Sequence, residues 1–201
     1  MKIIVFDTET TGIPSAQSQL EFQPYICQFA AVLCELDLEK KTIEEYKSVN
    51  HLIKPPVAIE YEAVAIHGIT NKVIADKPGF SAFADEILEA FREADIAVAH
   101  NISFDKRVLE CEFERLGKMG AFLPQQTFDT MESTVELCQL PGNKGRFKSP
   151  RLQELHEFLL GEKFEGAHDA LADVRATLNC LKQLLKRGVF MPEEPMQEAL
   201  F

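Results

Sequence analysis

The hydrophobic pattern of this chain predicts an α/β domain built on a mixed sheet. Two observations carry that expectation. Three strand-like stretches, 2–6, 25–36 and 42–53, follow one another closely, as in an antiparallel meander. After them a short apolar strand, 95–99, alternates with stretches of helical period, which adds a second kind of strand to the first three.

Each element has its own signal. The first strand is an apolar run, Ile3 to Phe6, that stops at two acids, Asp7 and Glu9. Residues 25–36 are almost continuously apolar, residues 42–53 alternate, and Pro55 and Pro56 close the meander. A helical stretch spans Glu60–Ile66, and an amphipathic helix lies near Ser81–Arg92. After the strand at 95–99 a helix is expected from Phe104 to Leu116, with Gly117 as its C-terminal cap. Another is expected over Thr130–Cys138. The glycines and prolines of 141–150 make a loop that carries Lys144, Arg146 and Lys148, with Arg151 just beyond. Helices follow at 151–160 and 169–187; in the latter Leu171, Val174, Leu178, Leu181 and Leu185 repeat at the spacing of a buried stripe. Residues 191–201 are acidic and hold two prolines, so the domain is placed at 1–187 and a C-terminal tail at 188–201.

Composition narrows the function classes. A chain of 201 residues suits one domain with a sizeable core. No apolar run is long enough to span a bilayer and no secretory signal precedes the first strand, so the expectation is a cytoplasmic protein with no membrane partner. The five cysteines (Cys27, Cys34, Cys111, Cys138 and Cys180) are odd in number and form no C-x-x-C, which speaks against a disulfide framework or a zinc ribbon. A net charge of −11 speaks against nucleic-acid binding by broad attraction. It leaves room for an enzyme that holds phosphates through bound metal ions, which bring their own charge.

The residues with chemistry sit at element ends. Asp7 and Glu9 are two apart on a strand, so their carboxylates share one face, where they repel unless neutralised. Hard divalent cations favour such oxygen ligands. Thr10, Thr11 and Gly12 are expected to form a turn with free backbone N–H groups. At 100–105 the chain reads His-Asn-Ile-Ser-Phe-Asp, which puts Asp105 near a helix start. At 168–173 it reads His-Asp-Ala-Leu-Ala-Asp. Within one helix His168 and Asp173 would point about 140° apart. His168 is therefore better placed in the preceding loop or first turn, where a base could reach a metal-bound water. Taken singly, each feature has an ordinary explanation as a solvated turn, a helix cap or a loop histidine.

Together they have another. Phe-Asp-x-Glu-Thr-Thr-Gly, His-Asn-x-x-Phe-Asp and His-Asp-Ala-x-x-Asp, in this order, resemble the DEDDh branch of the DnaQ-like 3′→5′ exonucleases over about residues 1–187. The resemblance implies a ribonuclease-H-like fold with a central five-stranded mixed sheet flanked by helices. It implies two divalent ions, Mg²⁺ or Mn²⁺, held by Asp7, Glu9, Asp105 and Asp173, with His168 as the general base. The product would be a nucleoside 5′-monophosphate. Activity should rise with pH as the imidazole loses its proton.

Ile66-His67-Gly68-Ile69 resembles a segment that lies against the terminal nucleotide in the family. Ile66 and His67 are thus candidate substrate contacts; the alternative is a core isoleucine and a helix-terminal histidine. The backbone of Thr10 and Thr11 joins them, and Asn101 either fixes the Asp105 loop or touches the phosphate. Lys144, Arg146 and Lys148 either steer the strand or form a solvated loop. Gln28 departs from the family, many of whose members carry a glutamate there. The expected substrate is a DNA 3′ end, single-stranded by preference. The alternatives are an exoribonuclease of the same superfamily and an inactive nucleic-acid-binding scaffold. Finally, Gln197-Glu198-Ala199-Leu200-Phe201 resembles the Gln-x-x-Leu-Phe peptide that docks into bacterial sliding clamps. That makes Gln197, Leu200 and Phe201 candidate partner contacts, unless the terminus folds back onto the domain.

Overall fold

A computed structural model describes residues 1–15, 19–118, 120 and 122–193. Its centre is a five-stranded sheet in the order β3-β2-β1-β4-β5. The strands are β1 (Lys2–Thr10), β2 (Ile26–Asp37), β3 (Thr42–Leu52), β4 (Ile96–Ala99) and β5 (Gln126–Asp129). The first three pair antiparallel, while β4 and β5 run parallel to β1. The helices are α1 (Tyr61–His67), α2 (Ala84–Glu93), α3 (Ile102–Arg115), α4 (Val135–Cys138), α5 (Leu152–Leu160) and α6 (Ala170–Lys186).

The alternation of β1 decides the two faces of the sheet. Ile3 and Val5 join α5 and α6 through Leu155, Val174, Leu178 and Leu181. Ile4 and Phe6 join α2 and α3 through Ile87, Phe91, Val108 and Leu109. Each such side chain, fully buried, contributes about 1.5–3 kcal/mol. The same period of two carries on into the polar end of the strand. Asp7 and Glu9 therefore continue the α6 series, and Thr8 continues the α3 series.

Several expectations need correcting. β1 does not stop at Phe6. It runs to Thr10, with Asp7, Thr8 and Glu9 opposite Ala30, Phe29 and Gln28, because the longer β2 offers backbone partners to that point. The acids thus lie within the ladder, and the adjoining turn is less free than expected: the Thr11 N–H donates to Tyr25 O at 2.9 Å. β5 is absent from the sequence-based list; four residues with one partly buried ring, Phe128, carry almost no periodicity. The helix expected over Thr130–Cys138 is broken. The Thr130 N–H bonds Ala99 O, a 3-10 turn occupies Glu132–Thr134, and only Val135–Cys138 is α-helical.

The chain also stays packed beyond residue 187. Phe190 is 2% exposed, with its ring 4.8 Å from that of Phe128. The Gln126 carboxamide donates to Glu193 O at 2.8 Å and accepts the Glu193 N–H at 3.2 Å. The boundary expected at 188 therefore falls inside the packed structure. Gln197, Leu200 and Phe201 lie outside the described residues. All five cysteines are buried free thiols. Among the described residues no helix is long and apolar enough to cross a membrane.

Candidate active site

The polar end of β1 lies between the starts of α3 and α6. On the α3 side Asp105 stands in the first helical turn, 2% exposed. Its Oδ1 accepts both the Thr8 N–H (2.9 Å) and the Thr8 hydroxyl (2.7 Å). The turn before α3 puts Asn101 at φ 74°, a left-handed conformation that asparagine tolerates better than most residues. The Asp129 carboxylate fixes this turn by accepting the N–H groups of Asn101 (3.0 Å) and Ile102 (3.1 Å). Asn101 itself accepts the Ser103 hydroxyl. Its hydrogen bonds run to Asp129 and within the stretch that precedes Asp105.

On the α6 side Asp169 caps the helix by accepting the Ala172 N–H at 3.1 Å. Gln28 braces the same helix start from β2. Its Oε1 accepts the Ala170 N–H (3.2 Å), and its Nε2 donates to Asp169 Oδ2 and to Asn50 Oδ1 (3.1 Å each). A carboxamide can accept and donate at once; an ionised carboxylate could not donate to Asp169. His168 precedes the cap, exposed and at φ 70°, and its N–H donates to Asp173 Oδ2 at 3.1 Å. One ligand atom from each of Glu9, His168 and Asp173 lies within 4.8 Å of the other two. Four acids and one histidine from three separated stretches of sequence are thus brought together.

The electrostatics show what this arrangement costs. Burial, then repulsion from Asp105, Asp173 and Glu9, raises the Asp7 carboxyl well above the usual carboxylate range. Burial and the charges of Asp173 and Asp105 push Glu9 up to about 8. Asp105 rises to about 7 through burial, although the Thr8 hydrogen bonds oppose it. Asp173 rises to about 6 through burial, opposed by the His168 N–H. No lysine or arginine is paired with these acids among the described residues. Asp173 Oδ1 is buried without a hydrogen-bond partner. Oxygen-rich, mutually repelling and short of a cation, the set fits hard divalent ions.

The expected substrate contacts divide. Ile66 is 59% exposed, so it is not core. His67 ties α1 to the end of β1. Its Nδ1 accepts the Ile69 N–H (3.0 Å), which leaves Nε2–H to donate to Thr10 O (3.2 Å). Burial lowers its pKa, in keeping with a neutral ring. The Thr11 hydroxyl accepts the Tyr25 N–H, and the Thr10 hydroxyl donates to Gly12 O. Ile13, 84% exposed just beyond, was not singled out from the sequence, where a lone isoleucine in a loop gives no signal.

Residues 4–181 match the model of the exonuclease family of RNase T type. The chain belongs to that family. A relative of this chain, the DNA polymerase III epsilon subunit of Buchnera aphidicola, is 33% identical over 148 residues, or 71% of this chain and 57% of that one. The chain spans about half the length of the epsilon subunits it matches. Exonuclease X, solved with 5′-overhanging duplex DNA, superposes with a TM-score of 0.62 at 25% identity over 94% of each chain. Escherichia coli exonuclease I, solved with a dT13 oligonucleotide, does so with a TM-score of 0.72 at 25% identity, over 92% of this chain and 41% of the other. The ribonuclease-H-like, DEDDh character expected from the motifs stands.

Proposed function

We propose that this exonuclease removes nucleoside 5′-monophosphates one at a time from the 3′ end of single-stranded DNA. The supporting observation is the convergence of Asp7, Glu9, Asp105 and Asp173, uncompensated by any cation, beneath an exposed His168. The first three acids and Asp173 would hold two divalent ions, Mg²⁺ or Mn²⁺, which supply neutralisation of the scissile phosphate and acidification of the attacking water. His168 takes the proton of that water as its oxygen bonds to phosphorus. The P–O3′ bond breaks, and the departing 3′ oxygen is protonated. Asp105 is kept in register by Thr8, and His168 by the α6 start that Gln28 and Asp169 fix. Ile13 and Ile66 offer exposed apolar surface to the terminal base from two segments that the His67–Thr10 bond links.

Digestion of 3′- and 5′-labelled DNA and RNA with Mg²⁺ or Mn²⁺ tests this directly. Stepwise release from the 3′ end of DNA, lost in Asp7→Ala, is expected. Preference for RNA would move the chain to the exoribonuclease reading, since the 2′-hydroxyl is what distinguishes the two sugars. Binding without turnover would favour the scaffold. We further infer that residues 197–201 tether the enzyme to a sliding clamp through the Leu200-Phe201 pair. Deleting them should abolish clamp binding and leave cleavage of free oligonucleotides intact.

A further inference from the structure

Residues 139–153 contain no acid and hold Lys144, Arg146, Lys148 and Arg151, in a chain whose net charge is −11. The structure turns this stretch into a hairpin. Gly142 N–H bonds Arg146 O (3.0 Å), Lys148 N–H bonds Leu140 O (3.0 Å), and Pro141 pairs with Phe147. The closure is tight: a Cβ on Gly142 would come within 2.6 Å of Arg146 O. At the tip Lys144, Arg146 and Phe147 are all exposed. Lys148 is engaged by Glu154, but neither Lys144 nor Arg146 is paired with an acid among the described residues.

The hairpin is fastened near the active-site end of the sheet and borders the cavity there. The His100 ring, directly after β4, contacts Pro150 O at 3.0 Å. Arg151 lines a cavity together with His168 and Asp173. Three residues separate Pro150 from Arg146, which makes four steps along the chain of at most about 3.5 Å each. Arg146 therefore stands up to about 14 Å from the His100 anchor.

We propose that this hairpin is a second binding surface, gripping the single-stranded DNA backbone upstream of the nucleotide being removed. Lys144 and Arg146 contact phosphates, and Phe147 offers a face to a base, the pairing of cationic and aromatic groups that single strands favour. The inference rests on the reading of the site as acting on a DNA 3′ end; the surface itself is argued from the hairpin alone. It explains how an acidic protein keeps hold of a polyanion: attraction is concentrated on one projecting element.

The test measures binding of fluorescent dT20 in Ca²⁺ across a salt series, and cleavage of dT20 and dT3 in Mg²⁺. It compares the parent with Lys144→Gln/Arg146→Gln and with the charge-preserving Lys144→Arg/Arg146→Lys. A trimer carries a single phosphate upstream of the scissile one, so it cannot engage both Lys144 and Arg146. Each lost phosphate contact on a single strand lowers the salt slope by about 0.7. The double glutamine variant should therefore lose about 1.4 in slope and bind dT20 about 25-fold more weakly at about 0.1 M salt. Its ratio of dT20 to dT3 kcat/KM should fall by a similar factor, and the charge-preserving variant should restore it. An unchanged slope, or an equal loss on dT20 and dT3, would overturn the proposal. If the parent cleaves nothing, the active-site reading fails, while the salt slope in Ca²⁺ still decides for or against the hairpin.

Discussion

Replacing Glu9 by glutamine should stabilise the metal-free protein at alkaline pH while abolishing its activity. Burial and the neighbouring acids carry the Glu9 carboxyl from 4.5 to about 8 in the folded state. The folded protein thus holds this proton more tightly than the unfolded chain does. Stability falls as pH rises above 4.5 and levels off beyond about 8. At about 1.4 kcal/mol per pH unit, that interval corresponds to a ceiling of roughly 5 kcal/mol. A neutral carboxamide of the same shape escapes this cost. For a domain of this size each kcal/mol moves Tm by about 2–4 °C, so a gap of roughly 10 °C or more should open between variant and parent from pH 5 to pH 8. Thermal unfolding in a chelator at the two pH values measures it. Adding Mg²⁺ or Mn²⁺ should close the gap by stabilising the parent through binding. A variant less stable than the parent at pH 8 without metal, or a gap independent of pH, would refute the account of the acids as a repelling set awaiting cations.

Four other outcomes follow from the same geometry. His168→Ala should lower kcat by about 10²–10⁴ and leave oligonucleotide binding near the parent value, as steady-state kinetics beside anisotropy would show. Gln28→Leu should cost about 1–3 kcal/mol in denaturant unfolding, because the Ala170 N–H loses its acceptor and Asp169 loses a donor. Gln28→Glu should lose activity more steeply with rising pH, as an ionised carboxylate then faces that of Asp169; a profile parallel to the parent's would count against Gln28 as a positioning residue. His67→Phe should destabilise the protein by leaving Thr10 O and the Ile69 N–H unpaired, and it should raise KM more than it lowers kcat.

The five proposed catalytic positions were legible because their spacing is local and their types are restrictive. Asp7 and Glu9 declare a shared strand face, and His168 and Asp173 declare a helix start. The groups that hold them were not legible. Asp129 and Asp169 look like any helix-flanking acid until the fold brings Asp129 to the α3 turn and Asp169 to Gln28. Gln28 was noticed as a departure, but its role depends on Asp169 and Ala170, more than a hundred residues away in sequence. The length of β1 was misread because its polar end is held by β2 and by Asp105, not by its own hydrophobicity. β5 escaped because a four-residue edge strand with no fully buried side chain carries almost no pattern of its own.

The clasp between Gln126 and Glu193 also settles a matter of direction. Gln126 opens β5 and pairs with Ile96, which in turn pairs with Ile3 near the beginning of β1. Asp7 and Glu9 belong to the far end of these parallel strands. At about 3.3 Å per residue along β1 and about 4.8 Å per strand across the sheet, residue 193 lies on the order of 15 Å from Asp7. Whatever follows residue 193 begins its path at the pole of the molecule opposite the cleft. A partner that seized the enzyme by that end would leave the cleft facing outward, leashed but unobstructed.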